Sequence, residues 1–103
     1  MVEYIAGEMK VLPSSHPWQA STNFSLTYSP TAESAKSQCW RYKEAYEVLE
    51  GAQGSITEEA AMEVLSSVSQ SGTRWSMVYN LTTREVRVAM GRKYDQVLEF
   101  SLD

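Results

Sequence analysis

The alternation of hydrophobic and polar residues changes along the chain, and each change predicts a different kind of element. Short runs of β-type residues over Glu3 to Ile5 and Met9 to Leu12 flank a Gly-containing turn, which is the pattern of a hairpin. Pro13 and Pro17 then interrupt regular pairing, because proline lacks the amide donor of a β-ladder. Residues 18 to 24 are compatible with an extended segment, and the Ser-, Thr- and Pro-rich stretch after them predicts a loop.

The middle of the chain has the period of amphipathic helices. From about Ser34 to Glu50, apolar residues recur three and four positions apart, which predicts one helix with an apolar face. That face comprises Tyr42, Ala45, Tyr46 and Leu49. A second helix is predicted to begin near Thr57, whose hydroxyl is a good N-cap, and to end over Ser69 to Gly72.

The last third of the chain has a period of two. Residues Trp75 to Asn80 and Glu85 to Met90 alternate apolar and polar side chains, and Leu81 to Arg84 is the predicted turn between them. A further strand is predicted over Val97 to Leu102. The chain therefore predicts an α+β fold, an antiparallel sheet with two helices on one face, in a single domain over residues 1–103.

The predicted hairpin of residues 75 to 90 is apolar on both faces. Trp75, Met77, Tyr79 and Val88 lie on one face, and Val78 and Ala89 lie on the other. Because two helices of this length can cover only one face, the second face would have to meet another sheet or another chain. We therefore expect a homo-oligomer that covers an apolar sheet face, unless a further part of a larger domain does so.

Composition excludes several classes of protein. A hydrophobic content of 43% is too high for a disordered chain. A net charge of −4 argues against a nucleic-acid module, because such a module binds phosphates through a basic patch. No apolar run reaches the ~20 residues of a membrane span. One Cys and one His make neither a metal site nor a disulfide framework, and no cofactor motif is present. The N-terminus does not resemble a signal peptide, which predicts a cytoplasmic location.

Candidate chemical groups are few. A Cys39–His16 pair is conceivable, but Cys39 also fits a small apolar residue at the start of a helix and His16 an ordinary loop residue. Asn23 could direct its amide into a cleft or be a simple loop amide. Arg41 lies in an otherwise apolar helical stretch, where its guanidinium could reach a carboxylate, a carbonyl or a substrate, or lie at the surface.

Several segments around these residues, in this order, resemble a known family. They are Val2 to Tyr4 followed by Gly7 to Val11, Ser21 to Phe24, Cys39 to Tyr42, Trp75 to Thr82, and Tyr94 to Leu102. The series is similar to the C-terminal part of N-terminal-nucleophile hydrolases of linear amide C–N bonds. That family includes choloylglycine hydrolases, penicillin V acylases and proteins similar to acyl-CoA:6-aminopenicillanic acid acyltransferase.

The resemblance implies an αββα sandwich and an amidase chemistry. In such enzymes a Cys at the mature N-terminus attacks an amide carbonyl, and Asn side chains stabilise the oxyanion. Asn23 matches the family's Thr-Asn position and would be an oxyanion or substrate donor. Arg41 matches a late Arg of the family and would lie near the nucleophile, where its charge favours the thiolate.

One departure from the family limits what this chain can do alone. The nucleophilic Cys of the family lies in an N-terminal half, and Met1-Val2 cannot be processed to an N-terminal Cys. We therefore expect a C-terminal fragment that is inactive alone and acts on a small amide only with the missing half. The alternative is a non-catalytic, self-associating α+β domain, and an enzyme based on Cys39 and His16 is a third possibility.

Overall fold

A computed structural model describes residues 1–102 of the chain. It contains eight elements in the order ββαααβββ. They are β1 (Val2–Ile5), β2 (Glu8–Val11), α1 (Ala32–Gln38), α2 (Trp40–Gly51), α3 (Glu58–Ser67), β3 (Trp75–Asn80), β4 (Glu85–Met90) and β5 (Leu98–Ser101). The α+β class with antiparallel strands is confirmed. The strands form two separate sheets, one of two strands and one of three.

The chain divides into two compact units, Met1–Ser55 and the segment from Ile56 onward. The first unit contains the hairpin of β1 and β2, whose turn at Ala6 and Gly7 has positive φ at both positions, 52° and 80°. These values are those of the hairpin turn that matches the twist of the strands. Residues 18 to 24, predicted as an extended segment, form no strand.

The predicted helix over residues 34 to 50 is two helices in the structure. Cys39 has extended backbone angles, φ −155° and ψ 123°, and it is both the C-cap of α1 and the N-cap of α2. Thr31 and Ser34 form a capping box that starts α1. No Pro or Gly lies at the break at Cys39, and the apolar spacing therefore predicts one continuous helix across it.

The core of the first unit is an aromatic cluster on α2. Tyr42 and Tyr46 are buried on one face of α2, as predicted, together with Ala35 of α1. The ring of Trp18 meets Tyr46 edge-on at a centroid distance of 4.7 Å, and Phe24 meets Tyr42 in the same way at 5.2 Å. Two of these four rings come from the irregular segment between β2 and α1.

The second unit is a three-stranded antiparallel sheet with one helix packed on it. The strand order is β3-β4-β5, and Thr57 caps α3 as predicted by accepting the N–H of Ala60. Helix α3 bonds to one face of the sheet, where the amide of Asn80 donates to the Glu58 carboxylate at 2.5 Å. On the same face, Tyr94 bonds to the Ser76 hydroxyl at 2.8 Å.

An ion-pair cluster centred on Arg87 joins α3 to β4 and β5. The Arg87 guanidinium lies 2.9 Å from Glu58, 2.7 Å from Glu59 and 3.6 Å from Glu99. A hydrogen bond from its own backbone N–H, followed by the contact with Arg87, lowers the pKa of the Glu59 carboxyl. This face of the sheet is therefore covered by a helix and held by charges.

Candidate functional site

Asn23 and Arg41, the two residues that the resemblance marks, lie in contact in the first unit. Arg41 is the second residue of α2, and its Nη2 donates to the amide oxygen of Asn23 over 2.5 Å. Asn23 belongs to the irregular segment between β2 and α1, eighteen residues earlier in the chain. The fold therefore brings together two residues that the sequence identified separately.

The direction of this hydrogen bond orients the Asn23 side chain. The amide oxygen of Asn23 accepts from Arg41, and the amide nitrogen Nδ2 donates to no partner among the described residues. Asn23 also lines a groove of about 490 Å³ between β1 and residues 21 to 25. Its side chain thus offers an unused hydrogen-bond donor at a residue that lines this groove.

The Cys39 thiol lies at the start of the same helix and is only partly exposed. The nearby Thr22 hydroxyl, which can donate to a thiolate, is the largest cause that lowers the pKa of the Cys39 thiol. Partial burial opposes this shift, while the N–H groups of Tyr42 and Arg41 and the Arg41 charge add to it. Cys39 is thus in a setting that favours the thiolate, and not only a small apolar residue.

Thr22 is a site residue that sequence reasoning did not select. Its hydroxyl oxygen is buried and has no hydrogen-bond partner among the described residues. Its effect on the Cys39 thiol is therefore that of a nearby hydroxyl able to donate to a thiolate, and not that of a hydrogen bond formed in this structure. Its position next to Asn23 in the chain was the available signal, but a threonine in a loop is too common for that signal to stand out.

His16 belongs to a different part of the first unit. Its ring stacks on Trp18 at a centroid distance of 4.9 Å and an interplanar angle of 9°. The Ser14 hydroxyl accepts the His16 N–H and lies 2.8 Å from the carbonyl oxygens of His16 and Trp18, so it stabilises a turn. Among the described residues, no contact joins His16 to Cys39. The structure therefore gives no support to the Cys39–His16 pair.

A second cavity, of about 420 Å³, lies beside His16 and Trp18. Tyr42 and Tyr46 form part of its wall, together with apolar residues such as Leu12 and Leu26. None of its lining residues is acidic or is Asn23, Cys39 or Arg41. The polar cluster at the start of α2 and this aromatic cavity are thus separate features of the first unit.

Residues 1–102 hold neither a metal-binding cluster nor a membrane-spanning helix. No group of three or more His, Cys, Asp or Glu side chains could hold a metal ion in this part of the chain. No helix within the same range is long and apolar enough to cross a membrane. The candidate site is therefore the cluster of Thr22, Asn23, Cys39 and Arg41.

Comparison with models of known families, with curated proteins and with solved structures finds no match to this chain.

Proposed function

We propose that this chain contributes a polar site to a hydrolase of linear amide C–N bonds, of the class that uses an N-terminal Cys nucleophile. The observation that carries the proposal is the hydrogen bond between Arg41 and Asn23. These are the two residues that the resemblance assigns to catalysis. In this proposal the nucleophilic Cys lies on a segment outside the present sequence, and Cys39 does not replace it.

The geometry suits Asn23 to a role as oxyanion donor. When a thiolate attacks an amide carbonyl carbon, the C=O π bond breaks and negative charge develops on the oxygen. The free Nδ2 of Asn23 can donate to that oxygen from the groove beside β1. Arg41 acts as a positioning residue, because its bond to the Asn23 amide oxygen sets which end of the amide faces the groove.

A complementation assay tests this proposal. The chain is mixed with the N-terminal half of a choloylglycine hydrolase that carries the mature N-terminal Cys, and amine release from a series of linear amides is measured. We expect turnover by the mixture and none by either part. Asn23→Ala lowers turnover by roughly a hundredfold or more, as loss of one oxyanion donor does. Arg41→Ala lowers turnover as well. Asn23→Asp keeps the shape of the side chain but removes the N–H donor, and it should lower turnover too.

One matched control and one test of an alternative nucleophile accompany these variants. Lys43→Ala alters an exposed cation on the same helix and is expected to leave turnover unchanged. Cys39→Ser tests the alternative, because turnover survives this change only if the nucleophile is on the other part. Absence of turnover in the mixture, or turnover indifferent to Asn23→Ala, contradicts the proposal. Loss of turnover in Cys39→Ser would assign the nucleophile to Cys39 instead.

A second candidate function, a non-catalytic domain that self-associates, is supported by a different observation. Large apolar side chains are exposed together on sheet faces in both units, among them Tyr4 at 77% and Trp75 at 58%. Exposed apolar surface of this kind is typical of interaction sites. We propose that the chain forms homo-oligomers, and sedimentation of the purified chain over two orders of magnitude in concentration tests this.

A further inference from the structure

One face of the three-stranded sheet is entirely apolar. The register of β3, β4 and β5 places three rows of side chains on this face. The rows are Trp75 with Met90, Met77 with Val88 and Leu98, and Tyr79 with Val86 and Phe100. We call this surface the apolar sheet face, and its members are Trp75, Met77, Tyr79, Val86, Val88, Met90, Leu98 and Phe100. Five of the eight are exposed by about half, with fractions from 49% for Leu98 to 58% for Trp75.

Charged groups are confined to the opposite face of the same sheet. Glu85, Arg87 and Glu99 alternate with the apolar residues along β4 and β5, and Arg87 bonds to α3 on that side. On the apolar sheet face, the Tyr79 hydroxyl lies along the sheet and bonds to the Met77 sulfur at 3.5 Å. Covering this face therefore removes no ionised side chain from water, so its burial carries no desolvation cost for a charged group.

The exposed area reaches the lower limit for a specific interface. A fully buried aromatic side chain removes about 150–250 Å² from water, so five large side chains at half exposure present roughly 500 Å². Two such faces in contact would bury on the order of 1,000 Å², the lower limit for a specific interface. A partner with the same shape and the same lack of charge is available in a second copy of the chain.

The hairpin of the first unit has a smaller apolar face. Val2, Tyr4, Met9 and Val11 lie on one side of it and are exposed by 50% to 77%. Two strands give a narrower surface than three. The three-stranded sheet is braced by α3 through Asn80 and Arg87, so its face keeps its shape without a partner.

We propose that the apolar sheet face packs against the same face of a second copy, as a two-fold symmetric interface between two three-stranded sheets. This inference rests on the self-association proposed above and specifies its surface. Sheets pack in this way about 10 Å apart with strands aligned within about 30°, and both α3 helices then lie on the outside. The interface is made by side chains, and the free edges of β3 and β5 take no part in it.

Analytical ultracentrifugation of four proteins tests this interface. The wild-type chain is compared with Phe100→Lys, with Gln96→Lys and with Tyr4→Lys. Phe100 is 55% exposed on the apolar sheet face, whereas Gln96 is exposed in the connection before β5 and Tyr4 lies on the hairpin face. All three variants add the same single positive charge. We expect a wild-type dimer, a dissociation constant raised by roughly tenfold or more in Phe100→Lys, and little change in the other two.

Each result bears on a separate statement. A wild-type chain that stays monomeric overturns both the self-association and the interface. A dimer that resists Phe100→Lys, whether or not Tyr4→Lys dissociates it, overturns the interface and leaves self-association intact. Circular dichroism checks that each variant is folded. If Phe100→Lys is unfolded, Leu98→Lys in the adjacent row makes the same comparison, because Leu98 is 49% exposed on the same face.

Discussion

The two compact units of this chain bury their residues by different means. In Met1–Ser55 the buried apolar residues are Ala35, Tyr42 and Tyr46 on helices, and they pack against Trp18 and other residues of an irregular segment. In the unit from Ile56 onward, one helix covers a regular three-stranded sheet, and ion pairs around Arg87 join them. The first unit is thus held by aromatic packing and the second by a β-ladder with charges.

This difference explains where the candidate site is. A regular sheet places its side chains in rows with a fixed spacing, and the second unit uses those rows for packing on α3 and for the apolar sheet face. An irregular segment can direct a side chain at almost any neighbour once packing holds it. In the first unit such a segment brings Asn23 to Arg41 and Thr22 to Cys39.

Truncating the aromatic core of the first unit should have the largest effect on stability. Tyr46 is only 7% exposed and contacts the Trp18 ring, so Tyr46→Ala is expected to lower the free energy of unfolding by about 3–5 kcal/mol. Tyr28→Ala is the matched control, because Tyr28 is 73% exposed and lies outside the apolar sheet face. Its expected cost is under about 1 kcal/mol. Denaturant unfolding measures both, and equal costs would contradict the assignment of Tyr46 to the aromatic core of the first unit.

A pair of glycines, one in each unit, tests how closely the irregular segment is packed. Gly54 and Gly91 both have positive φ, 76° and 58°. A Cβ at Gly54 would lie 2.8 Å from Trp18 Cδ1, whereas a Cβ at Gly91 would meet nothing within 4 Å. Gly91→Ala should therefore cost about 1–2 kcal/mol for its backbone alone. Gly54→Ala should cost about 1–3 kcal/mol more, because Trp18 must shift.

Thermal unfolding of the two glycine variants makes this comparison. The ring of Trp18 also stacks on His16, so a shift of Trp18 should change the near-ultraviolet circular dichroism of Gly54→Ala alone. Equal melting temperatures for the two variants would show that the close approach between Gly54 and Trp18 is easily relieved. That result would remove the argument that the irregular segment is tightly held.

The ion pairs of the second unit should have a smaller effect that depends on pH. The Glu59 carboxyl has a pKa below its ordinary value of 4.5, for which its own backbone N–H and Arg87 are the main causes. A lowered pKa stabilises the folded state above pH 4.5, and this stabilisation is lost as pH falls through the folded-state pKa. Arg87→Gln should therefore lower stability near neutral pH, and its difference from wild type should shrink on acidification.

Denaturant midpoints measured at neutral pH and below pH 4 test that dependence. Arg74→Gln is the control, because Arg74 is exposed and takes part in none of the ion pairs around Arg87. It should change little at any pH. A difference between Arg87→Gln and wild type that persists in acid would assign the effect of Arg87 to packing of its alkyl chain instead.

Regular elements were largely predictable from the sequence. The hairpin of β1 and β2, the cap of α3 at Thr57, and the turn between β3 and β4 follow from local residue preferences, which act over a few positions. The buried pair Tyr42 and Tyr46 follows from helical spacing. The break at Cys39 was not predictable, because it depends on how α1 and α2 pack and not on a helix-breaking residue.

The candidate site was predictable only as separate residues. Asn23 and Arg41 could be singled out as polar side chains in unusual settings. Their contact, and the part of Thr22 in lowering the Cys39 pKa, depend on the path of an irregular segment. Packing between residues eighteen positions apart sets that path, and local preferences do not encode it.

The sequence by itself thus determined the α+β class, the positions of the first hairpin, of the last helix and of the last three strands, and the apolar row pattern of those three strands. Those features follow the period of a helix or a strand, so each can be predicted from a few neighbouring residues. Only the tertiary structure decided that the strands form two sheets, that α3 covers the charged face of one sheet, and that Asn23 meets Arg41. These features join residues distant in the chain, and their geometry is set by packing and not by local conformation.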